Sequence, residues 1–159
     1  MMTKILMVCM GNICRSPMAQ VVAAQIASQH GLGERKGAGA VMFDSAGTHA
    51  HHLGERMDPR AASALTSRGY ALGKGRSRRV SEQDFEKFDL ILAMDQSNLA
   101  ALRDICPAQY SRKLCLLLDY AEGMTGQEVP DPYYGNALGF ERVLDLCERG
   151  AAGLVKTLR

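Results

Sequence analysis

Apolar positions fall along this chain in short unbroken runs separated by segments with helical spacing. Residues 5–8, Ile5-Leu6-Met7-Val8, form a continuous apolar run of the kind a strand covered on both faces requires. After Cys9 and a short loop, Ser16 is placed to cap a helix and Pro17 suits its first turn. Met18, Val21, Val22, Gln25 and Ile26 then share one face before Gly31. The pattern repeats with a strand over residues 41–44 and a helix opened by Asp58-Pro59 that runs through Leu65 towards Gly69. Ser81 and Asp84 make a variant capping box for a short helix, and residues 88–94 give the most apolar strand. Asp95 caps a helix over Leu99 and Leu102, residues 113–118 predict a fourth strand, and residues 138–158 a long closing helix. Strands alternating with helices imply an α/β fold with a parallel sheet and helices on both faces.

Connections carry their own signal. Residues 31–39 are the most loop-like interior stretch, and residues 119–136 are too long for a simple connection, as functional loops often are. That loop and Cys9 both follow strands, which puts both at the carboxyl edge of the sheet, where such folds hold ligands. The run Gly69-Tyr70-Ala71-Leu72-Gly73-Lys74-Gly75 imitates a nucleotide loop but lacks its spacing and the hydroxyl after the lysine, so it reads as a turn.

Composition narrows the class. A chain of 159 residues fits one domain, and such a domain buries roughly 70% of its unfolded surface without staples. A net charge of +2 argues against nucleic acid and against an anionic membrane surface, with Arg76, Arg78 and Arg79 the one local basic concentration. No stretch approaches the ~20 apolar residues of a membrane span, and the amino terminus shows no cleavage site, so the expected location is cytoplasmic. Five scattered cysteines predict reduced thiols rather than a disulfide framework. Cys115 and Cys147 read as small core residues, and Cys106 has no evident partner.

Chemistry concentrates at Cys9-Met10-Gly11-Asn12-Ile13-Cys14-Arg15-Ser16, a cysteine and an arginine at the two ends of a five-residue loop that opens a helix. The amides of such a loop can converge on an oxyanion, the helix amino terminus adds positive potential, and Gly11 allows the close turn. Arg15 can present two parallel donors to a phosphate. The same field favours the Cys9 thiolate, since cysteines so placed fall to a pKa of roughly 3.5–7.5. Ser16 can donate to that thiolate, and Asn12 can hold the loop's shape with its side chain. The late segment Val129-Pro130-Asp131-Pro132-Tyr133-Tyr134-Gly135 supplies a candidate acid, Asp131, on a proline-stiffened loop. Tyr133 and Tyr134 can wall an aromatic substrate.

These residues resemble the low-molecular-weight protein tyrosine phosphatase family. The likeness rests on residues 8–19, on Asp44-Ser45-Ala46-Gly47-Thr48, Asp58-Pro59-Arg60-Ala61, Phe88-Asp89, Met94-Asp95-Gln96-Ser97-Asn98 and Asp131-Pro132-Tyr133, in order over nearly the whole chain. The resemblance implies a single-domain, three-layer Rossmann-like fold with a four-stranded parallel sheet, and neither metal nor cofactor. It implies Cys9 as nucleophile, Arg15 as phosphate clamp and Asp131 as acid, then base. Met10, Gly11, Asn12, Ile13, Cys14 and Ser16 would form the phosphate-binding loop, with Ser45 supporting it. Cys14 matches a second family cysteine that forms a reversible disulfide with the nucleophile; the alternative is a small loop residue. The partners implied are a tyrosine-phosphorylated protein, a tyrosine kinase opposed by the enzyme, and inorganic phosphate as product, for a monomer or weak dimer.

Two departures stand out. His51 occupies a rim position where many relatives carry tryptophan, within Thr48-His49-Ala50-His51-His52, whose three histidines lack a second ligand cluster and read as a rim loop rather than a metal site. Arg79 adds a charge beside Arg78 that would favour acidic peptides. Ile13 offers a guanidinium nothing to bond, which favours phosphotyrosine over the phosphoarginine taken by relatives with threonine there. Arsenate reduction on the same fold needs relay cysteines, and residues 88–105 contain none. A non-catalytic phosphotyrosine-binding module could dispense with the thiol or the acid, and both are intact.

Overall fold

The computed structural model describes residues 2–33 and 39–159. Its centre is one all-parallel sheet of β1 (Thr3–Cys9), β2 (Val41–Gly47), β3 (Leu90–Ala93) and β4 (Leu114–Leu116), in the order β2-β1-β3-β4. The helices are α1 (Arg15–Gln29), α2 (Pro59–Ser67), α3 (Glu82–Lys87), α4 (Gln96–Ile105) and α5 (Ala137–Leu158).

β1 explains the layering. Ile5 to Cys9 are all buried because the strand has a neighbour on each edge and helices on each face. Ile5, Met7 and Cys9 point into a core shared with Val22 of α1, Leu65 of α2 and Leu144 of α5, while Leu6 and Val8 point into one formed with Phe85 of α3 and Leu99 and Leu102 of α4. Three layers follow, as the sequence implies. The chain turns to opposite sides of β1 to form β2 and β3, so the crevice beyond the carboxyl ends of β1 and β3 is a topological switch point.

Several boundaries differ from the sequence reading, each for a local reason. Ser16 does not cap α1: Cys14 stands at the cap with no side-chain bond, and the Ser16 hydroxyl is drawn to the Cys9 sulfur. β2 runs on from residue 44 to Gly47, and β3 is shorter than residues 88–94, because Phe88 closes α3 and Met94, whose N still donates to Val8 O, turns its carbonyl away to Val129 N. Residues 113–118 yield only the three-residue β4. The apolar Leu117 and Leu118 begin a 3-10 turn, Leu117–Tyr120, packed under α5. Of residues 69–75 only Gly69, at φ 90°, turns; the rest begins an irregular strap through residue 78. The loop expected over residues 31–39 falls largely on residues 34–38, outside the described residues. Among the described residues no helix is long and apolar enough to cross a membrane.

Candidate active site

Cys9 ends β1 and Arg15 begins α1, so residues 10–14 must reverse the chain at the sheet's carboxyl edge. Their carbonyls are claimed from outside the curve. Cys9 O accepts from Thr48 N, Met10 O from His49 N, Gly11 O from the Ser77 hydroxyl and Ile13 O from Asp58 N, at 2.8–3.0 Å. Because the C=O and N–H of a trans peptide point in opposite directions within its plane, the following amides face the concave side, as an oxyanion cradle requires. Asn12 makes the turn with φ 59°, the one non-glycine residue in the left-handed region among those described. Its side chain fixes that conformation: Nδ2 donates to Ser16 Oγ at 2.8 Å and Oδ1 accepts from Arg78 N at 3.0 Å. With its oxygen accepting from Asn12, Ser16 keeps its own proton for Cys9 Sγ, 3.0 Å away.

Arg15 is almost wholly buried, at 2% exposure. Nη1 donates to Asp95 Oδ2 at 2.5 Å and to Val129 O at 3.1 Å, and Nη2 lies 3.6 Å from Asp131 Oδ2. Burial opposes its charge, but the Cys9 sulfur and the Asp95 and Asp131 carboxylates prevail and push its pKa up. Since Nη1 is spent on Asp95 and Val129, the guanidinium's other edge is the one left for a phosphoryl group.

Asp131 is 40% exposed at its side chain, and its Oδ1 accepts from Tyr133 N at 3.0 Å, which fixes the loop as a local turn. The Tyr133 and Tyr134 rings meet edge to face with centroids 4.9 Å apart; Tyr133 is part-buried beneath the Arg60 guanidinium, whereas Tyr134 is 95% exposed. Cys14, beside the loop, has its thiol pushed up to about 12, first by burial and then by the charges of Asp58, Cys9 and Asp131.

A cleft of about 190 Å³ brings most of these groups together: Cys9, Met10, Gly11, Ile13, Cys14 and Arg15 meet His51, Asp131, Tyr133 and Tyr134 on its walls. Asn12 and Ser16 lie beneath it as braces. The Ser45 hydroxyl donates to Gln20 Oε1 of α1 at 2.7 Å, not to a loop residue. Arg79 is exposed but does not line the cleft, and Arg78 is spent on Asp44 and Asp84.

Three further contributors escaped sequence reasoning, and His52, read only as part of the rim loop, lines the cleft itself. Asp95 reads as a helix cap, and Oδ1 does cap α4 through Asn98 N at 2.7 Å, but Oδ2 holds Arg15. Its position two residues beyond β3, one step past the level of Cys9 at the end of β1, is the signal that would have found it. Gly47 is required because a Cβ there would meet the Met10 carbonyl at 2.6 Å. Ser77 braces Gly11 from the strap. The His52 Nδ1 is 2.8 Å from Glu55 Oε2 and its ring lies 5.6 Å from Tyr133.

A family model described as low molecular weight phosphotyrosine protein phosphatase matches residues 4–159. A Streptomyces coelicolor protein described as a low molecular weight protein-tyrosine-phosphatase is 39% identical over 159 residues, covering 98% of this chain and 93% of that one. The crystal structure of a protein tyrosine phosphatase from Entamoeba histolytica with Hepes in its active site superposes with a TM-score of 0.90 at 42% identity, covering 98% of this chain and 96% of the other. YwlE, described as an arginine phosphatase and solved as a mutant with a phosphorylated active-site serine, superposes with a TM-score of 0.85 at 31% identity, covering 98% of this chain and 95% of the other.

Proposed function

The chain belongs to the low molecular weight phosphotyrosine protein phosphatase family, and from that premise we propose that it hydrolyses phosphotyrosine in proteins through a phosphocysteine on Cys9. The observation that carries the reading is a single cleft walled by Cys9, Arg15 and Asp131 and flanked by the two tyrosines. In the first step the Cys9 sulfur attacks phosphorus, an S–P bond forms and the P–O bond to the tyrosine breaks. The electron pair leaves on the phenolic oxygen, which takes the Asp131 proton. In the second step the Asp131 carboxylate takes a proton from water, the hydroxyl attacks phosphorus, and the S–P bond breaks to release inorganic phosphate and the free thiolate. Arg15, already fixed by Asp95, supplies preorganised charge to the phosphoryl oxygens in both transition states. Ser16 stabilises the sulfur whenever it carries charge.

Phosphoarginine is the second reading, since YwlE is described as an arginine phosphatase. Against it, Ile13 brings an apolar side chain to the cleft and leaves a guanidinium unbonded there. The deciding experiment compares phosphotyrosyl and phosphoarginyl peptides, with p-nitrophenyl phosphate as the activated control, on wild type, Cys9→Ser and Asp131→Ala. The expected result is preference for phosphotyrosine, no turnover by Cys9→Ser, and a loss in Asp131→Ala of roughly 10² to 10⁴ on phosphotyrosine but less on the activated ester. Turnover persisting in Cys9→Ser would refute the mechanism, and faster cleavage of phosphoarginine would refute the substrate.

A further inference from the structure

A second cleft of about 190 Å³, equal in size to the first, lies behind the phosphate loop and shares no wall residue with the Cys9 cleft. Pro17 and Val21 of α1, with Met57 and Ala62, give it an apolar floor, and the strap over residues 72–77 forms its lip. Its neutral and acidic polar groups are already spent. Ser45 Oγ donates to Gln20 Oε1 at 2.7 Å, Gln20 Nε2 donates to Phe43 O at 3.3 Å, and the Asp44 carboxylate takes Ser45 N and the Arg78 guanidinium at 2.8 and 3.2 Å. Its cations are not. Among the described residues Arg56 has no carboxylate partner, and Arg76 makes only a bond to Gly54 O at 3.0 Å. An apolar floor with unspent guanidinium donors at the lip is complementary to a small amphipathic anion. The volume is below the ~300 Å³ at which drug-sized pockets begin, which limits the occupant to about one ring.

We propose that this cleft binds a single-ring aromatic carboxylate, with Arg56 and Arg76 holding the carboxylate, and that occupancy is transmitted to the phosphate loop. The route is short. Asn12 belongs to both the cleft wall and the loop, and the strap beside Arg76 makes two of the loop's braces, Ser77 Oγ to Gly11 O at 2.9 Å and Arg78 N to Asn12 Oδ1 at 3.0 Å. A ligand that holds the strap holds those braces, so it raises the loop's affinity for phosphate, and phosphate raises the cleft's affinity for the ligand by the same factor. The transmitted effect rests on the phosphatase reading above; the binding site itself does not.

The test is calorimetric titration of the whole chain with phenylacetate, with and without saturating inorganic phosphate. Phenylacetate should bind one to one, and benzyl alcohol, which keeps the ring and loses the charge, at least about tenfold more weakly. Phosphate should tighten phenylacetate binding. Arg56→Ala and Arg76→Ala, both at exposed positions and checked for folding by circular dichroism, should each weaken it by about tenfold or more. Displacement by phosphate, equal binding of benzyl alcohol, or wild-type affinity in both arginine variants overturns the proposal. Failure of p-nitrophenyl phosphate turnover would instead count against the phosphatase reading, because the calorimetry uses no substrate.

Discussion

At the scale of single residues, the site depends on which groups leave Arg15 and Cys9 in one geometry. Asp95→Asn isolates one contribution, because asparagine caps a helix as well as aspartate does but cannot neutralise a guanidinium. The expected loss in kcat/KM for p-nitrophenyl phosphate is about 10², the scale of removing one preorganised electrostatic contact, with a lowered thermal midpoint from the poorly compensated buried charge. A variant that melts earlier yet turns over normally would show that Asp95 serves only stability. Cys14 poses the opposite case: a thiol pushed up to about 12 is protonated at neutral pH and contributes no nucleophile of its own. Cys14→Ser is therefore expected to keep turnover within about threefold, since it removes no charge-bearing group, but to lose the dithiothreitol-reversible fraction after peroxide treatment. Equal recovery in both proteins would leave Cys14 a packing residue. The loop itself was legible in the sequence because its cysteine, glycine and arginine sit within a few positions of one another. Asp95 and Gly47 were not, since they join the site only through parallel pairing across the sheet.

At the scale of elements, the sequence revealed what is periodic and missed what is shaped by a neighbour. α5 was visible from its long apolar stripe. β4 was overextended because Leu117 and Leu118 are as buried as strand residues, though for another reason: they carry α5. The same docking explains two glycines inside that helix. A Cβ at Gly150 would press on the Leu117 side chain, which can shift, whereas one at Gly153 would run into the Tyr120 carbonyl, which is backbone and cannot. Helix propensity alone predicts that Gly153→Ala stabilises by about 1 kcal/mol. Overpacking costs about 1–3 kcal/mol, and more against rigid backbone, so the steric effect should win. The expected result is a net fall in the thermal midpoint of about 4–8 °C, equivalent to ~2 kcal/mol at this chain length. A rise would mean that α5 can slide on its seat.

Across the whole molecule, two carboxylates hold together the segments that brace the phosphate loop from behind and below. Asp84 opens α3 and takes both terminal nitrogens of Arg78, at 2.9 and 3.1 Å, and Ser81 N at 2.7 Å. Burial alone would raise its pKa; the Arg78 and Ser81 donors reverse that and leave it lowered. Asp58 caps α2, and its pKa is lowered chiefly by the Arg60 guanidinium, against a smaller opposing effect of burial. Both groups are thus stronger acids folded than unfolded. Their stabilisation is complete above the unfolded value of 3.8 and is lost as pH falls through the lower folded values. The thermal midpoint followed by circular dichroism should therefore hold level from neutral pH down to about 5 and fall below about 4. Asp84→Asn should begin lower at neutral pH, by about 1–3 kcal/mol for the weakened bonds between this buried carboxyl position and the half-buried Arg78 guanidinium, and should then decline less steeply, so that the two curves converge in acid. Curves that stay parallel to the lowest pH would mean that the acid sensitivity resides in other carboxylates, and that the strap carrying Ser77 and Arg78 is not where acid loosens this fold.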